Sequence, residues 1–326
     1  MSKEQLILDA ILNHQKNNNC TYLLALSCGI DSTYLLSLMQ FLHVNHNIQY
    51  RVIHFIHGNS ESDINAYSLF NLFQQHLNFE AVVYNFHISN ETDGRVFRQQ
   101  KIKEIIRPNE AVLTGHHVND SAETVLMNLF TGTSIHGMSG ISKLTSIDNV
   151  CYYRPFIECQ IAKEYIEAHC GYKHVKDSMN ENLLLKRNFI RSNLNNLQRH
   201  FPDIYEKINN FSESAKEQNT LNEYLYYFIN NSLIVFHYSD ITKSERFNCL
   251  KIKEMLLSTD KYQFLLLQNW FYIYFKLNHN INLSKKHFTA FCEFIKNGTC
   301  LELPYSIVLE IINENKSSFL VVRKTT

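Results

Sequence analysis

Residues 24–36 read LALSCGIDSTYLL: an apolar run, the polar turn Ser27-Cys28-Gly29-Ile30-Asp31-Ser32, and a second apolar run that follows at once. The pattern is that of a strand, a tight turn and a helix start. Such a turn leaves backbone N–H groups free at the positive end of the helix dipole, which favours a phosphate group. The hydroxyls of Ser27 and Ser32 can donate to phosphate oxygens, and Asp31 can cap the helix or hold Mg2+ that bridges phosphates. The spacing and lysine of a G-x-x-x-x-G-K-[ST] loop are absent. Taken alone, the hexapeptide fits a plain capped turn equally well. Cys28 sharpens the choice. With φ negative and its side chain turned from the phosphates, a cysteine there costs little. With φ positive, the expectation is weaker nucleotide binding.

Working outward, short apolar runs alternate with helix-period segments. Strands are expected at Thr21–Leu26, Tyr50–Phe55, Ala81–Phe86 and Ala111–Thr114, with helices near 31–42, 62–77, 95–106 and 119–130. Strands returning roughly every 30 residues with helices between them imply βαβ units and a parallel sheet. Ligands of such sheets bind at the carboxyl ends of the strands. Ser27, His57 and His116 each fall just past an expected strand. Beyond about Glu158 the pattern is mainly helical, with helices at 160–170, 185–199 and 203–230. The segment 231–326 reads as a small α/β domain with helices around 262–277 and 284–297 and strands at 306–312 and 318–323. Gly298 and Leu301-Glu302-Leu303-Pro304 mark a turn between them.

Two further stretches carry chemistry. Gly115-His116-His117-Val118-Asn119-Asp120-Ser121-Ala122-Glu123-Thr124 enters a helix from a strand end, and Asp120 and Glu123, three apart, share one helix face. Paired carboxylates in a ligand crevice can bind Mg2+, hold a cationic substrate or take its proton. Asp177-Ser178-Met179-Asn180 precedes Lys186-Arg187-Asn188-Phe189-Ile190-Arg191. On a helix, Arg187 and Arg191 are i,i+4 neighbours, a positive strip suited to nucleotide or RNA phosphates or simply to solvent.

Composition sets bounds. In 326 residues, 45% hydrophobic and 19% charged describe a globular chain long enough for two domains. Basic and acidic residues balance at 31 each, so a nucleic acid must be held by a local basic patch. The 8 cysteines form no C-x-x-C pair, which argues against zinc-ribbon and thioredoxin-like readings. The opening MSKEQLILDAILNHQ carries an amphipathic helical pattern rather than a secretory h-region. No window reaches the roughly 18 apolar residues of a membrane span. The expectation is a cytoplasmic protein without membrane contact.

Together, in this order and at these separations, the three stretches resemble the tRNA(Ile)-lysidine synthetases of the PP-loop, or N-type ATP pyrophosphatase, group. Residues 27–32 match S-G-G-x-D-S except at Cys28. Gly115-His116-His117, Asp120, Glu123 and Thr124 match G-H-H-x-D-D-Q-x-E-T. Arg154-Pro155-Phe156, Asp177, Asn180, Arg187-Asn188 and Arg191 follow R-P-L, D-x-S-N and R-N-x-x-R. The chain departs from the pattern at Ile56, Asn119, Ser121, Ile161 and Met179 as well, and of an E-x-x-A-R-x-x-R-Y segment Arg98 is the match.

The resemblance implies an α/β fold. A parallel-sheet PP-loop ATP-binding catalytic domain is expected over 1–200, a helical connector over 201–230, and a small C-terminal domain that binds tRNA over 231–326, with Lys285 and Lys286 opening a helix. It also implies that a further C-terminal domain of longer members is missing. The implied reaction adenylates C2 of cytidine 34 in the CAU anticodon of tRNA(Ile) with ATP and Mg2+, then joins L-lysine to it, giving lysidine, AMP and pyrophosphate. Asp31, Asp120 and Glu123 are the implied catalytic residues. Ser27, Cys28, Gly29, Ile30, Asp31, Ser32, His57 and His116 are implied to bind ATP, with Asp31 on Mg2+. Arg98, Asp120 and Glu123 are implied to bind lysine or phosphate, and Arg187, Asn188 and Arg191 to meet RNA or phosphate. A homodimer is a further implication. The departures leave open a paralogue modifying another RNA or small molecule, or one that binds RNA without catalysis.

Overall fold

The computed structural model describes residues 1–56, 58, 60–86, 91–176, 182–237, 245–257, 261–279, 281, 283–297, 300–304, 307–314 and 317–324. His57, Asp177, Ser178, Met179, Asn180 and Gly298 lie outside the described residues. The chain falls into two compact units, Met1–Lys216 and Glu217–Thr326.

In the first unit α1 (Lys3–Asn18) leads into β1 (Thr21–Ala25), α2 (Ile30–His46), β2 (Tyr50–Ile56), α3 (Glu61–Leu77), β3 (Glu80–Asn85), α4 (Glu91–Ile105), β4 (Glu110–Leu113) and α5 (Val118–Phe130). After a 3-10 turn at Ile135–Ser139 come β5 (Leu144–Ile147), β6 (Val150–Tyr153), α6 (Pro155–Glu158), α7 (Lys163–His169) and α8 (Lys186–Gln198). The long helix α9 (Ile204–Leu233) follows. The sheet has the order β3-β2-β1-β4-β6-β5, parallel except for the edge strand β5. Strands β2 and β3 lie to one side of β1 and β4 to the other, so the strand order switches direction between β1 and β4. In open α/β sheets the crevice at that point, outside the carboxyl ends, is where ligands bind.

Alternation along β1 explains its apolar run. Tyr22 and Leu24 face Ile7, Ile11, Leu35 and Met39, whereas Leu23 joins Ile53, Val112 and Tyr152 on the other face. Both faces are covered, so the strand has no polar side to show. At the amino ends of the strands, Arg51 on β2 donates through Nε and Nη2 to Glu110 on β4 at 2.7 and 2.6 Å. Both side chains are almost fully buried, and the pair ties together two strands that flank β1.

Helices α1, α2 and α3 end at Asn19, Asn47 and Asn78, with φ of 45°, 55° and 51°. With 9 glycines in the whole chain, asparagine takes the left-handed cap position, the one non-glycine residue type besides Asp that visits it readily. The β5–β6 hairpin is a pair of strands not expected from the sequence. Its turn residues Asp148 and Asn149 both have positive φ, 51° and 67°, as a two-residue type I′ turn requires.

In the second unit come β7 (Ile234–His237), β8 (Glu245–Asn248), α10 (Cys249–Leu257), α11 (Lys261–His279), α12 (Lys285–Asn297), β9 (Cys300–Leu303), β10 (Ile307–Glu314) and β11 (Ser317–Lys324). The sheet β7-β8-β11-β10-β9 is antiparallel throughout. Its core is aromatic: Phe247, Trp270, Phe271, Tyr274, Phe275, Phe288 and Phe291 are all buried. Phe288, Phe291 and Phe294 line the inner face of α12, and Lys285 and Lys286 are exposed at its start. Helices α11 and α12 and strands β10 and β11 fall where the sequence pattern predicts them, whereas β7, β8, α10 and β9 are additions, β9 occupying most of the turn expected at 301–304.

Candidate active site

The turn after β1 closes on itself through its serines. The Ser32 hydroxyl donates to the Gly29 carbonyl at 3.1 Å and accepts the Ser27 N–H at 3.1 Å. The two serine oxygens lie 3.0 Å apart, with Ser27 exposed and Ser32 buried. Gly29 is the N-cap of α2 and makes no side-chain cap bond. Asp31 therefore does not cap the helix; it sits inside the first turn, whose amides meet no side-chain acceptor among the described residues. Ile30 is half-buried against the core and offers the turn its backbone alone.

Cys28 has φ of 62° and its side chain is fully buried in the core beneath the sheet. Burial pushes the thiol up to about 12, so it stays protonated. The Cys28 carbonyl accepts the Val175 N–H at 2.9 Å. The backbone is left-handed, yet the thiol points into the core and away from the crevice. Behind the turn, buried His54 lies 2.7 Å from the Leu26 carbonyl through Nδ1 and stacks on Phe70.

The segment after β4 interlocks with this turn. A Cβ on Gly115 would stand 2.9 Å from the carbonyl carbon of Asp31 and 3.1 Å from the Ser32 nitrogen, so only glycine lets the two backbones approach. His116 Nδ1 is 2.8 Å from Thr114 Oγ1. Desolvation lowers this imidazole to about 4, helped by Arg154, Arg187 and His117 and opposed by Asp120. His117 is the N-cap of α5 and is 5% exposed. Its Nε2 lies 3.6 Å from Asp31 Oδ1 and 3.4 Å from Asp120 Oδ2, which makes it the link between the two motifs. Its buried Nδ1 has no hydrogen-bond partner among the described residues.

Helix α8 supplies the counter-charges. Arg187 donates through Nε to Glu123 Oε2 and through Nη2 to Asp120 Oδ1, both at 2.8 Å. Arg191 donates to both oxygens of Glu123, at 2.6 and 3.1 Å. The arginine strip expected to face RNA or phosphate is turned inward, because Glu123, with its side chain 1% exposed, needs a counter-charge. Asn188 is also buried and donates to the Asn182 carbonyl at 3.0 Å. Burial alone would raise the Asp120 carboxyl; the opposing charges of His117, His116 and Arg187 and the His117 N–H outweigh it and hold the group at about 2. Asp120 is therefore an ionised, weakly basic group.

Arg98 lies half-buried on α4. The residue that sequence reasoning missed is Lys163, whose ammonium lies on Asp31. The signal was a lysine two positions beyond Ile161, where the family pattern has a basic residue. No group of three or more His, Cys, Asp or Glu side chains that could hold a metal occurs among the described residues. Asp31 alone suits Mg2+ that arrives with phosphates, since that ion is commonly held by one or two carboxylates plus substrate oxygens.

The chain is 34% identical over 201 residues to the tRNA(Ile)-lysidine synthase of Buchnera aphidicola subsp. Baizongia pistaciae, covering 55% of this chain and 43% of that one. It is 29% identical over 215 residues to that of Actinobacillus pleuropneumoniae serotype 3, covering 63% and 49%. It is 28% identical over 276 residues to that of Wigglesworthia glossinidia brevipalpis, covering 77% and 64%. The chain spans about half the length of the first of the curated relatives it matches. The family model of the PP-loop domain matches residues 2–198, the stretch that holds the turn, the interlocked β4 segment and the arginines of α8, and the chain belongs to that family.

Proposed function

We propose that the chain is a tRNA(Ile)-lysidine synthetase: it adenylates C2 of cytidine 34 in a CAU anticodon and joins L-lysine to that carbon. The observation that carries the reading is His117, packed between Asp31 of the turn and Asp120 of α5. It supports the reading that the phosphate cradle and Asp120, the carboxylate assigned to the amine, share one crevice. The lysidine synthase relatives support the choice of chemistry.

In the first step the C2 oxygen of the cytidine bonds to the α-phosphorus of ATP and the bond to the β-phosphate oxygen breaks, releasing pyrophosphate. The amides at the start of α2 and the Ser27 hydroxyl would take phosphate oxygens. Asp31 would hold Mg2+, which when bound neutralises the triphosphate. In the second step the lysine ε-amine bonds to C2 and AMP leaves. The amine arrives protonated, with an ordinary pKa of about 10.4, and must lose a proton before it attacks. Asp120, held at about 2, is built to bind the ammonium rather than to remove its proton. Glu123 already accepts hydrogen bonds from two guanidinium groups and orders the arginines. The His117 imidazole, between two carboxylates, would carry the proton away.

The test is direct. Purified protein, ATP, magnesium and L-lysine are incubated with a tRNA(Ile) transcript bearing CAU, and nucleosides are analysed by mass spectrometry. Lysidine formed only with lysine present, together with AMP and pyrophosphate, supports the reading. AMP and pyrophosphate without a lysine adduct, or no turnover with a transcript that a known lysidine synthase modifies, would overturn it.

A further inference from the structure

Lys163 opens α7 and belongs to none of the sequence motifs that mark the crevice. Its Nζ lies 2.7 and 2.8 Å from the two oxygens of Asp31. Its backbone N–H donates to Asn119 Oδ1 at 3.0 Å, and Asn119 sits buried in the first turn of α5. The residue is thus fixed by α5 through its backbone and reaches α2 through its side chain.

The pair is not placed to stabilise the fold. Lys163 and Asp31 side chains are 28% and 31% exposed, and ion pairs open to solvent contribute little. Arg187 and Arg191 are different, because they neutralise Glu123, which is buried at 1% and has no other counter-charge among the described residues. Asp31 stands at the start of α2 beside amides that no side chain among the described residues caps. A triphosphate entering that cradle meets a carboxylate of its own sign. A cation kept on that carboxylate can turn to the phosphates, since a lysine has a long flexible stem and three donors.

We propose that Lys163 is a phosphate-binding residue of the nucleotide site, resting on Asp31 in the free protein and turning to the β- and γ-phosphates when a nucleoside triphosphate enters. The assignment rests on the reading of the turn as a nucleotide site and adds to it the cation that the G-x-x-x-x-G-K-[ST] spacing would otherwise supply. The charge beyond the α-phosphate is what a movable ammonium can neutralise, and that charge leaves as pyrophosphate.

The experiment is equilibrium binding to the full chain with magnesium present and without tRNA or lysine. The probes are a non-hydrolysable ATP analogue and AMP, and the proteins are the unaltered chain, Lys163→Met and Lys163→Arg. Loss of one charge-assisted contact predicts a triphosphate affinity lower by about 10- to 100-fold in Lys163→Met. AMP affinity stays unchanged, and Lys163→Arg recovers most of the loss. Unchanged AMP binding also shows that the variant is folded. Equal triphosphate affinity in Lys163→Met and the unaltered chain overturns the assignment. Equal losses for the analogue and AMP overturn it as well, because they make Lys163 a brace for Asp31. If the unaltered chain binds neither probe, the nucleotide reading itself falls and this assignment with it.

Discussion

Gly115 and Asp31 meet backbone to backbone: a Cβ on the glycine would lie 2.9 Å from the Asp31 carbonyl carbon and 3.0 Å from its oxygen. Neither neighbour is a side chain that can swing away. Gly115→Ala must therefore push the β4 segment off the first turn of α2, at a cost of about 1–3 kcal/mol. The expected outcome is a lower midpoint in urea together with lost binding of a non-hydrolysable ATP analogue. A variant that unfolds normally and binds normally would show that the interlock is slack.

Cys28 predicts an asymmetry between substitutions. Its φ of 62° costs a residue with a Cβ about 1–2 kcal/mol, which Cys28→Gly removes while also emptying a buried site. The two effects oppose each other, so stability changes little, and nucleotide affinity is unchanged because the thiol faces the core. Cys28→Val places a β-branched side chain in the left-handed region and is expected to be strongly destabilised. Thermal melts and nucleotide titrations of the two variants check both statements. A large gain in affinity for Cys28→Gly would mean that the cysteine obstructs the cradle after all.

The parallel sheet was legible because buried strands read as apolar runs and the intervening helices have their own period. The crevice was legible because the turn at 27–32 and the segment at 115–124 each follow a strand end. Three features were not. The β5–β6 strands are short and partly exposed, and their one sharp signal is the Asp148-Asn149 turn. The spacing of Arg187 and Arg191 fits an outward strip as well as an inward one; burial of Glu123 decides it, and burial has no local signature. Lys163 meets Asp31 across 132 residues of chain, a relationship that spacing cannot show.

Acid should weaken the first unit in two separate windows. His116 takes up a proton at about 4 in the folded chain and at 6.5 ordinarily. Between those values the unfolded chain binds more protons, so stability falls as pH drops from 6.5 to about 4, by at most about 1.4 kcal/mol per pH unit. Asp120 is depressed from 3.8 to about 2, so its contribution is complete above 3.8 and is lost as pH falls through about 2. Denaturation midpoints across both windows test this. His116→Asn should flatten the upper window and narrow the lower one, because His116 is one of the charges that hold Asp120 down; an unchanged upper slope would remove His116 as its source.

The cluster on α5 and α8 predicts an unequal response to removing either sign of charge. Glu123 is 1% exposed, whereas Arg187 and Arg191 are 28% and 34% exposed. Without Glu123, the arginines can turn to solvent or remain on Asp120. Without both arginines, a buried carboxylate is left unpaired, a situation that costs about 3–5 kcal/mol. Arg187→Met with Arg191→Met should therefore destabilise the chain more than Glu123→Gln, and adding Glu123→Gln to the double variant should restore part of the loss. Urea denaturation of the variants measures this. Equal effects of the two changes would mean that the arginines serve the crevice alone and not the fold.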